Sequence, residues 1–274
     1  HELRMVSRSE MPDYLGTDHY IGGLADYGNG HLHPLNLCIG EARAAHGLGA
    51  KIFEQSRVTR IQHGHKPVVE TEHGRVHASK VVLAGNAYLG NTEPSIRNRI
   101  IPAGSYMIAT EPLPASLARE ICPADMAYCE QTVGLNYFRL STDKRLLFGG
   151  MCNYSGRDPG NITASLRPKM LKIFPQLKDL EIDYEWGGAI AISINRIPQF
   201  GRIEANTYYA QGYSGHGVAP AHLAGKMLAD AVAGDSEQFE LFSKVRHWWL
   251  PGGKWFANPA LAFGMLYYRL KQLL

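Results

Sequence analysis

The pattern of apolar and polar positions in the first hundred residues predicts strands and one helix. Residues 51–61 alternate between apolar and polar side chains, as a half-buried strand does. Lys80–Gly85 is apolar between its ends and closes on a glycine, which is typical of a buried parallel strand. Pro34 suits the first turn of a helix that runs to about Leu48, where Gly49 is a suitable C-terminal cap. These elements together indicate an α/β domain.

The middle of the chain has a different pattern, in which short apolar runs are separated by Pro, Gly and Asp. Two short runs that flank His73-Gly74 predict a hairpin over residues 68–77. One helix is predicted over residues 164–174. Five further runs predict the strands of an antiparallel sheet, at residues 105–110, 135–140, 145–149, 181–186 and 196–202.

The most informative feature is a strand, a glycine-rich turn and a helix near the C-terminal end. Tyr208–Gln211 is the strand, Gly212–Gly217 the turn and Val218–Val232 the helix. A turn after a buried strand lies where α/β sheets bind ligands, and unpaired N–H groups at a helix start attract anions and electron-rich carbonyl groups. The alternative is a tight connection in which glycines supply positive φ. We predict that the turn's backbone contacts a cofactor, and that His216 either donates to it or fills a pocket.

These patterns predict an α/β cofactor domain built from discontinuous pieces and interleaved with an antiparallel substrate domain. A dinucleotide-binding fold normally opens with a strand, G-x-G-x-x-G and a helix, and no such run occurs here. We therefore expect the chain to be a fragment that lacks at least one βαβ unit of roughly 30 residues. The predicted division is a substrate-domain strand and active-site loop (1–34), a cofactor-domain segment (35–99), the antiparallel substrate domain (100–204), the last cofactor-domain strand and helix (205–234), and a C-terminal helical tail (235–274).

Composition and charge exclude several classes of function. The net charge is only +3 and the basic residues are dispersed, which argues against a nucleic-acid partner. No apolar run reaches the ~20 residues that span a bilayer, so no membrane span is expected. The lack of a secretory signal and of C-x-x-C spacing predicts reduced cysteines and a cytoplasmic location, with disulfides as the alternative. Trp248-Trp249 and Leu261–Leu274 are interpreted as an amphipathic end that packs on the body, with membrane association or an oligomer face as alternatives.

Two other kinds of site were weighed and are disfavoured. His31 and His33 share a strand face and resemble a metal pair, but no third ligand is near them in the sequence, so no metal is expected. Ser214 stands between Tyr213 and Gly215 without the G-x-S-x-G pattern, which argues against a serine hydrolase.

Five segments carry a joint pattern that is specific, although each piece alone is not. They are Gly22-Gly23-Leu24, Gly30–Leu37 (GHLHPLNL), Val81–Gly90 (VVLAGNAYLG), Asn195–Arg202 (NRIPQFGR) and Gly212–Gly225 (GYSGHGVAPAHLAG). Together they resemble the D-amino-acid-oxidase-like superfamily of FAD-dependent oxidoreductases, and most closely its branch of gamma-glutamylputrescine oxidases. The resemblance covers essentially the whole chain and the C-terminal two-thirds of the family. It implies an incomplete FAD/NAD(P)-binding Rossmann-like domain interleaved with the antiparallel substrate domain.

The resemblance also implies roles for individual residues. The family's third parallel strand contacts the adenine, one turn lies near the pyrophosphate and ribose, and the glycine-rich turn faces the flavin. The matching residues are Val58 at the adenine, Ala84, Gly85 and Asn86 near the pyrophosphate and ribose, and Gly212, Gly215, His216, Gly217 and Val218 at the flavin. We also expect His33, Tyr106 and Tyr213 in the substrate pocket; no catalytic residue is assigned.

Three departures from the family pattern bear on substrate and cofactor. Members that oxidise amino acids anchor the carboxylate with an Arg after W-x-G, but Trp186–Ile190 contains none. Sarcosine-oxidase-like members place a Lys two residues beyond G-H-G, where this chain has Ala219. Losing both cations disfavours a small α-amino acid and suits an amine. Members with covalent flavin use a Cys on the strand before the glycine-rich turn, and residues 189–195 have none, so FAD is expected to be non-covalent and to bind only the full-length protein.

The sequence therefore predicts FAD-dependent oxidation of a small-molecule amine such as gamma-glutamylputrescine. The imine product would hydrolyse to an aldehyde, and O2 would be reduced to H2O2. One alternative is an amino-acid oxidase or dehydrogenase of the same fold that passes electrons to a carrier. Another is a non-catalytic binding module.

Overall fold

A computed structural model of the protein describes residues 2–131, 135–153 and 158–248. In chain order the strands are β1 (Leu3–Val6), β2 (Gly23–Asp26), β3 (Val58–Gln62), β4 (Val68–Thr71), β5 (Arg75–His77), β6 (Val81–Leu83), β7 (Ile101–Thr110), β8 (Tyr128–Cys129), β9 (Tyr137–Leu140), β10 (Leu146–Asn153), β11 (Ile182–Ile192), β12 (Gln199–Ile203) and β13 (Thr207–Gln211). The helices are α1 (Pro34–Gly47), α2 (Pro94–Arg97), α3 (Ala115–Ile121), α4 (Ile162–Ile173), α5 (Val218–Ala233) and α6 (Glu237–Ser243).

These elements divide between two compact units. The first unit comprises the described residues within 1–52, 105–152 and 158–188, and the second comprises those within 53–104 and 189–248 together with Asn153. The first unit holds the antiparallel hairpin β1–β2 and most of a five-stranded sheet in the order β11-β7-β10-β9-β8. In that sheet β9 pairs antiparallel with both β8 and β10.

The core of the first unit lies between the five-stranded sheet and α4. Tyr106 and Ile108 of β7 are two residues apart, so both point to one face of the sheet, where both are buried. Leu166, Met170 and Ile173 recur at helical spacing and bury one stripe of α4 in the same cluster. A fully buried side chain of this size stabilises the fold by roughly 1.5–3 kcal/mol.

The second unit is organised around β13, whose five residues are all buried. β13 pairs antiparallel with β12 and parallel with β6. Tyr208 and Ala210 pack in a cluster with apolar residues of α5 and α6. Tyr209 points to the opposite face and packs with Val81 and Leu83 of β6, against which residues of β3 and β4 also pack. Because β6 and β13 are parallel, both strands end at the same edge of their sheet.

Many predicted elements are confirmed, but the structure corrects two of the expectations from the sequence and adds elements that were not predicted, such as α3. The run at 196–202 does form a strand, but β12 pairs with β13 and so belongs to the second unit, not to the antiparallel sheet of the middle. The strand expected over 51–61 is present only from Val58 onwards. Helix α3 carried no signal that we recognised. The fold class is confirmed, whereas the assignment of cofactor and substrate roles to segments of the chain stays a prediction. The end of the predicted helical tail, from residue 249 onwards, lies outside the described residues.

Candidate functional site

Two turns lie at the carboxyl edge of the β12-β13-β6 sheet. β6 continues into Ala84–Tyr88, which we call the β6 turn, and β13 continues into Gly212–Gly217, which we call the glycine turn. The backbone N–H of Gly212 donates to the side-chain Oδ1 of Asn86 at 2.9 Å. The predicted pyrophosphate-side and flavin-side residues are therefore brought together.

The glycine turn has a backbone that favours glycine and leaves donors free. The φ angles of Gly212, Ser214 and Gly215 are +79°, +57° and +89°, in the left-handed region that most L-residues avoid. Helix α5 starts at Val218 with Gly217 as its N-cap, so no side chain caps it. Within the described part of the chain, nothing accepts from the N–H groups of Gly215, Gly217 or Val218. These donors lie at the positive end of a 16-residue helix, and unpaired donors in such a position attract electron-rich groups.

Ser214 anchors the middle of the glycine turn. Its N–H donates to the carbonyl of Ala191 at 2.8 Å, and its Oγ accepts from the N–H of Ser193 at 3.2 Å. The side chain is buried, with 7% of its surface exposed. The sequence around Ser214 was interpreted only for a nucleophile, and this structural role was not predicted. A hydroxyl residue between glycines in a turn is the one signal that was available for it.

Tyr213 and His216, on either side of Ser214 in the turn, differ in burial: Tyr213 is half-buried and His216 is exposed. The N–H of His216 donates to the carbonyl of Tyr213 at 3.0 Å, so this N–H is not available to a ligand. The His216 side chain is exposed, and its contact with a cofactor stays a prediction. Tyr213 is half-buried, and this burial raises the pKa of its phenol. A side chain on Gly217 would start 3.3 Å from the Cβ of Tyr213, so glycine permits this close approach.

The other two expected pocket residues belong to the first unit. His33 is exposed and caps α1, since its Nδ1 accepts from the N–H of Asn36 at 3.3 Å. Tyr106 is buried in the core, and its hydroxyl donates to Asp158 at 2.8 Å. The structure thus gives His33 a capping role and Tyr106 a packing role, and their place in a substrate pocket stays a prediction.

The residues expected around the nucleotide lie in two places of the second unit. Val58 begins β3, which pairs antiparallel with β4, and a parallel partner on the other edge of β3 stays a prediction. The short turn after Gln62 returns the chain directly alongside, and such a hairpin is antiparallel. Contact of the Val58 backbone with adenine stays a prediction. A side chain on Gly85 would start 3.2 Å from the Cα of Leu89, so the β6 turn also uses a glycine for close packing.

A polar cluster of the second unit was missed entirely. The Nε2 of His63 lies 2.7 Å from a carboxylate oxygen of Glu93, and its Nδ1 lies 3.0 Å from the hydroxyl of Thr207. Glu93 and Thr207 are buried. Burial opposes ionisation of Glu93, but hydrogen bonds from Ser95 and His63 outweigh it and hold the pKa of this carboxyl below its usual value.

Of the two positions that lack a cation, Ala219 follows shortly after the glycine turn in the chain, and Ile190 lies against the turn in space. A side chain on Gly215 would start 3.5 Å from Cδ1 of Ile190. The next residue back, Ala189, donates its N–H to the hydroxyl of Tyr88 at 2.8 Å. Ala219 is exposed in the first turn of α5. The surface beside Gly215 is therefore apolar where Ile190 lies.

The described residues contain neither a helix suited to cross a membrane nor a group of side chains placed to hold a metal ion. None of the helices within 2–131, 135–153 and 158–248 combines the length and apolar character that a membrane crossing needs. In the same residues, no group of three or more His, Cys, Asp or Glu side chains is placed to hold a metal ion.

Comparison with known families and curated proteins gives consistent matches. A family described as DAO, FAD dependent oxidoreductase, matches residues 1–231. The chain is 44% identical to gamma-glutamylputrescine oxidoreductase of Escherichia coli strain K12, over 100% of this chain and 64% of that protein. It is 39% identical to the probable oxidoreductase OrdL of Haemophilus influenzae, over 97% of this chain and 62% of that protein. The chain therefore spans less than two thirds of the length of these relatives.

Comparison with solved structures supports the same fold. Glycine oxidase from Geobacillus kaustophilus superposes with a TM-score of 0.77 at 19% identity, over 90% of this chain and 68% of that one. At this low identity the similarity concerns the fold alone.

Proposed function

The chain belongs to the DAO family of FAD-dependent oxidoreductases, and we propose that the protein oxidises an amine of the gamma-glutamylputrescine type. The amine would become an imine that water hydrolyses to an aldehyde, while O2 is reduced to H2O2. The observation that carries the choice of an amine is the apolar side chain of Ile190, which lies against Gly215 where amino-acid-oxidising relatives are expected to carry a cation. The 44% identity to gamma-glutamylputrescine oxidoreductase supports the same substrate type.

The glycine turn fits a flavin by its donor set. Its unpaired N–H groups at Gly215, Gly217 and Val218 suit an electron-rich carbonyl edge, and the absence of a side chain at Gly215 leaves the backbone open to close approach. Ala84 and Gly85 of the β6 turn, beside the same sheet edge, would hold the phosphate-bearing part. FAD, when bound, supplies the redox chemistry by accepting a hydride from the carbon next to the amine nitrogen and delivering the electrons to O2.

The chain's own residues would orient the cofactor and shape the substrate site. The positive end of α5 stabilises negative charge on a group held at the glycine turn, without any proton transfer. Ile190 would pack against the methylene chain of the amine and exclude water from it. A small amino acid would bring its carboxylate to this apolar surface without a partner, and desolvating an unpaired carboxylate is costly. These contributions favour a substrate whose carboxylate is several bonds from the reacting nitrogen.

We propose that FAD is held without a covalent bond. Cysteine occurs in the chain only at Cys38, Cys122, Cys129 and Cys152, so β12, β13 and the glycine turn contain none. O2 is the proposed electron acceptor, and a protein or quinone carrier is the other outcome of the test. A cytoplasmic location stays a prediction from the sequence.

The proposal is tested by comparing kcat/KM for gamma-glutamylputrescine, putrescine, sarcosine and D-alanine on the full-length protein. We expect both amines to exceed both amino acids, with H2O2 formed as the amine is consumed. Since the neutral amine is the reactive form, kcat/KM should rise with pH toward the alkaline side. If sarcosine or D-alanine is turned over better than both amines, the amine assignment is wrong. If substrate is oxidised only with an artificial acceptor, the O2 assignment is wrong.

A further inference from the structure

We propose that Asn86 is a positioning residue that holds the glycine turn in the geometry a flavin requires, and thereby sets the reduction potential of the bound cofactor. The inference rests on the proposed function for its second half only. Its first half, the bracing of the turn, concerns contacts within the second unit and can be tested without FAD.

The side chain of Asn86 accepts the hydrogen bond of a buried backbone N–H in the glycine turn. Gly212 is buried, and the only acceptor for its N–H among the described residues is Oδ1 of Asn86, at 2.9 Å. This N–H is the first that leaves β13, so it has no partner strand to bond with. A buried donor that loses its acceptor retains the full cost of its desolvation. Gly212 is therefore held by a side chain from the neighbouring strand end.

Asn86 is itself held in a specific backbone conformation. Its φ is +46°, in the left-handed region, where asparagine is tolerated better than most other residues. It follows Gly85, the N-terminal flank of the short 3₁₀ turn Asn86–Tyr88. The backbone thus aims the short amide side chain away from its own turn and toward Gly212. Neither alanine nor a longer amide would reproduce this reach.

A second point of the glycine turn, Ser214, is held independently of Asn86. Ser214 is tied to Ala191 and Ser193, as described above. The strained stretch from Gly212 to Gly215 is therefore held at two points, at Gly212 by Asn86 and at Ser214 by Ala191 and Ser193. When the hydrogen bonds at Gly212 and Ser214 are both formed, the N–H groups of Gly215 and Gly217 keep a fixed orientation. Removing the Asn86 side chain breaks the hydrogen bond at Gly212, next to β13, and leaves the hydrogen bonds of Ser214 in place.

Tyr88 provides a matched control in the same turn. Its hydroxyl accepts from the N–H of Ala189, so it braces β11 and not the glycine turn. Replacing Tyr88 by Phe removes one hydrogen bond from the β6 turn and leaves the Asn86–Gly212 contact intact. An effect that is specific to Asn86 must therefore be absent from Tyr88→Phe.

The first measurement is hydrogen–deuterium exchange of the peptide that spans residues 207–217, on FAD-free full-length protein. Asn86→Gly keeps the left-handed backbone but removes the acceptor, and Asn86→Asp keeps an acceptor of the same shape. We expect exchange about tenfold faster in Asn86→Gly, because a lost hydrogen bond opens the turn locally. Asn86→Asp and Tyr88→Phe should exchange like the native protein. Unchanged exchange in Asn86→Gly overturns the bracing role, and so does equally fast exchange in Asn86→Asp.

The second measurement is the midpoint potential and visible spectrum of the FAD-loaded variants. A loosened glycine turn stabilises the reduced, negatively charged cofactor less, so Asn86→Gly should shift the potential to more negative values and alter the flavin bands. Faster exchange without any change in potential would overturn the link to the flavin while leaving the brace intact. A native protein that binds no FAD would contradict the proposed function. The exchange data would still test whether Asn86 holds the glycine turn.

Discussion

At the scale of single residues, the proposed amine substrate rests on the side chains that lie beside the glycine turn. Ile190 presents an apolar side chain to Gly215, and Ala219 presents a methyl group in the first turn of α5. Neither supplies the charge-assisted hydrogen bonds that a carboxylate needs in a desolvated site. Restoring a cation at one of these positions should therefore change specificity without changing the fold.

Ile190→Arg tests this directly. A new charge-assisted contact to carboxylate stabilises binding by roughly 1.5–3 kcal/mol, so the kcat/KM ratio of sarcosine to gamma-glutamylputrescine should rise by about ten- to a hundredfold. Ile190→Leu, which keeps an apolar side chain, is the matched control and should leave the ratio within a few-fold. An Arg variant with the native ratio would place Ile190 away from the substrate.

Gly215→Val tests the position of the cofactor. A β-branched side chain resists φ of +89° and blocks the backbone, so FAD binding should weaken by about 2 kcal/mol, or roughly 30-fold. Gly234→Val imposes comparable strain at φ of +115° at the other end of α5. Both variants should lower the melting temperature, but only Gly215→Val should raise the Kd for FAD. Equal FAD affinity in the two variants would mean that the glycine turn lies away from the flavin.

At the scale of elements, a buried polar cluster joins three parts of the second unit. His63 follows β3, Glu93 caps α2 and Thr207 begins β13, and the imidazole bonds to both of the other side chains. The folded state holds the pKa of Glu93 below its ordinary value of 4.5. Its ionised form therefore stabilises the fold above that pH, and this stability is lost as the pH falls through the lower, folded-state pKa.

Glu93→Gln should show this dependence. The variant should lose about 1–3 kcal/mol of unfolding free energy at about pH 7, because a charge-assisted hydrogen bond is removed from a buried site. The difference from the native protein should shrink at acidic pH, as the native carboxyl becomes protonated. Urea unfolding at both pH values measures it, with the exposed Glu72→Gln as the control. A difference that is the same at both pH values would show that the Glu93 charge does not contribute.

Elements with local signals were predictable, whereas contacts between distant segments were not. The run at Lys80–Gly85 and the segment from Tyr208 to Val232 were recognised because apolar runs, glycines and helical spacing are read within one window. The pairing of β12 with β13 was missed, since a short strand does not specify its partner. His63 was missed for the same reason: Glu93 lies 30 positions away and Thr207 lies 144 positions away.

At the scale of the whole molecule, each of the two units is built from separate stretches of the chain. The change of sequence pattern from α/β to short antiparallel runs indicated that two units alternate along the chain. It did not locate the boundaries between their stretches, because Gln199–Ile203 continues the strand pattern of the middle of the chain but pairs in the second unit. The glycine turn, the β6 turn and Ile190 all belong to the second unit. The proposed cofactor contacts therefore depend on residues that one compact unit holds together.

The most direct test of the account is an anaerobic titration of the FAD-loaded full-length protein with gamma-glutamylputrescine, followed by admission of air. The account predicts that the amine bleaches the flavin absorption stoichiometrically and faster than sarcosine does. Air should restore the absorption and yield one H2O2 for each amine oxidised. A flavin that the amine leaves oxidised, or that sarcosine reduces faster, would contradict it.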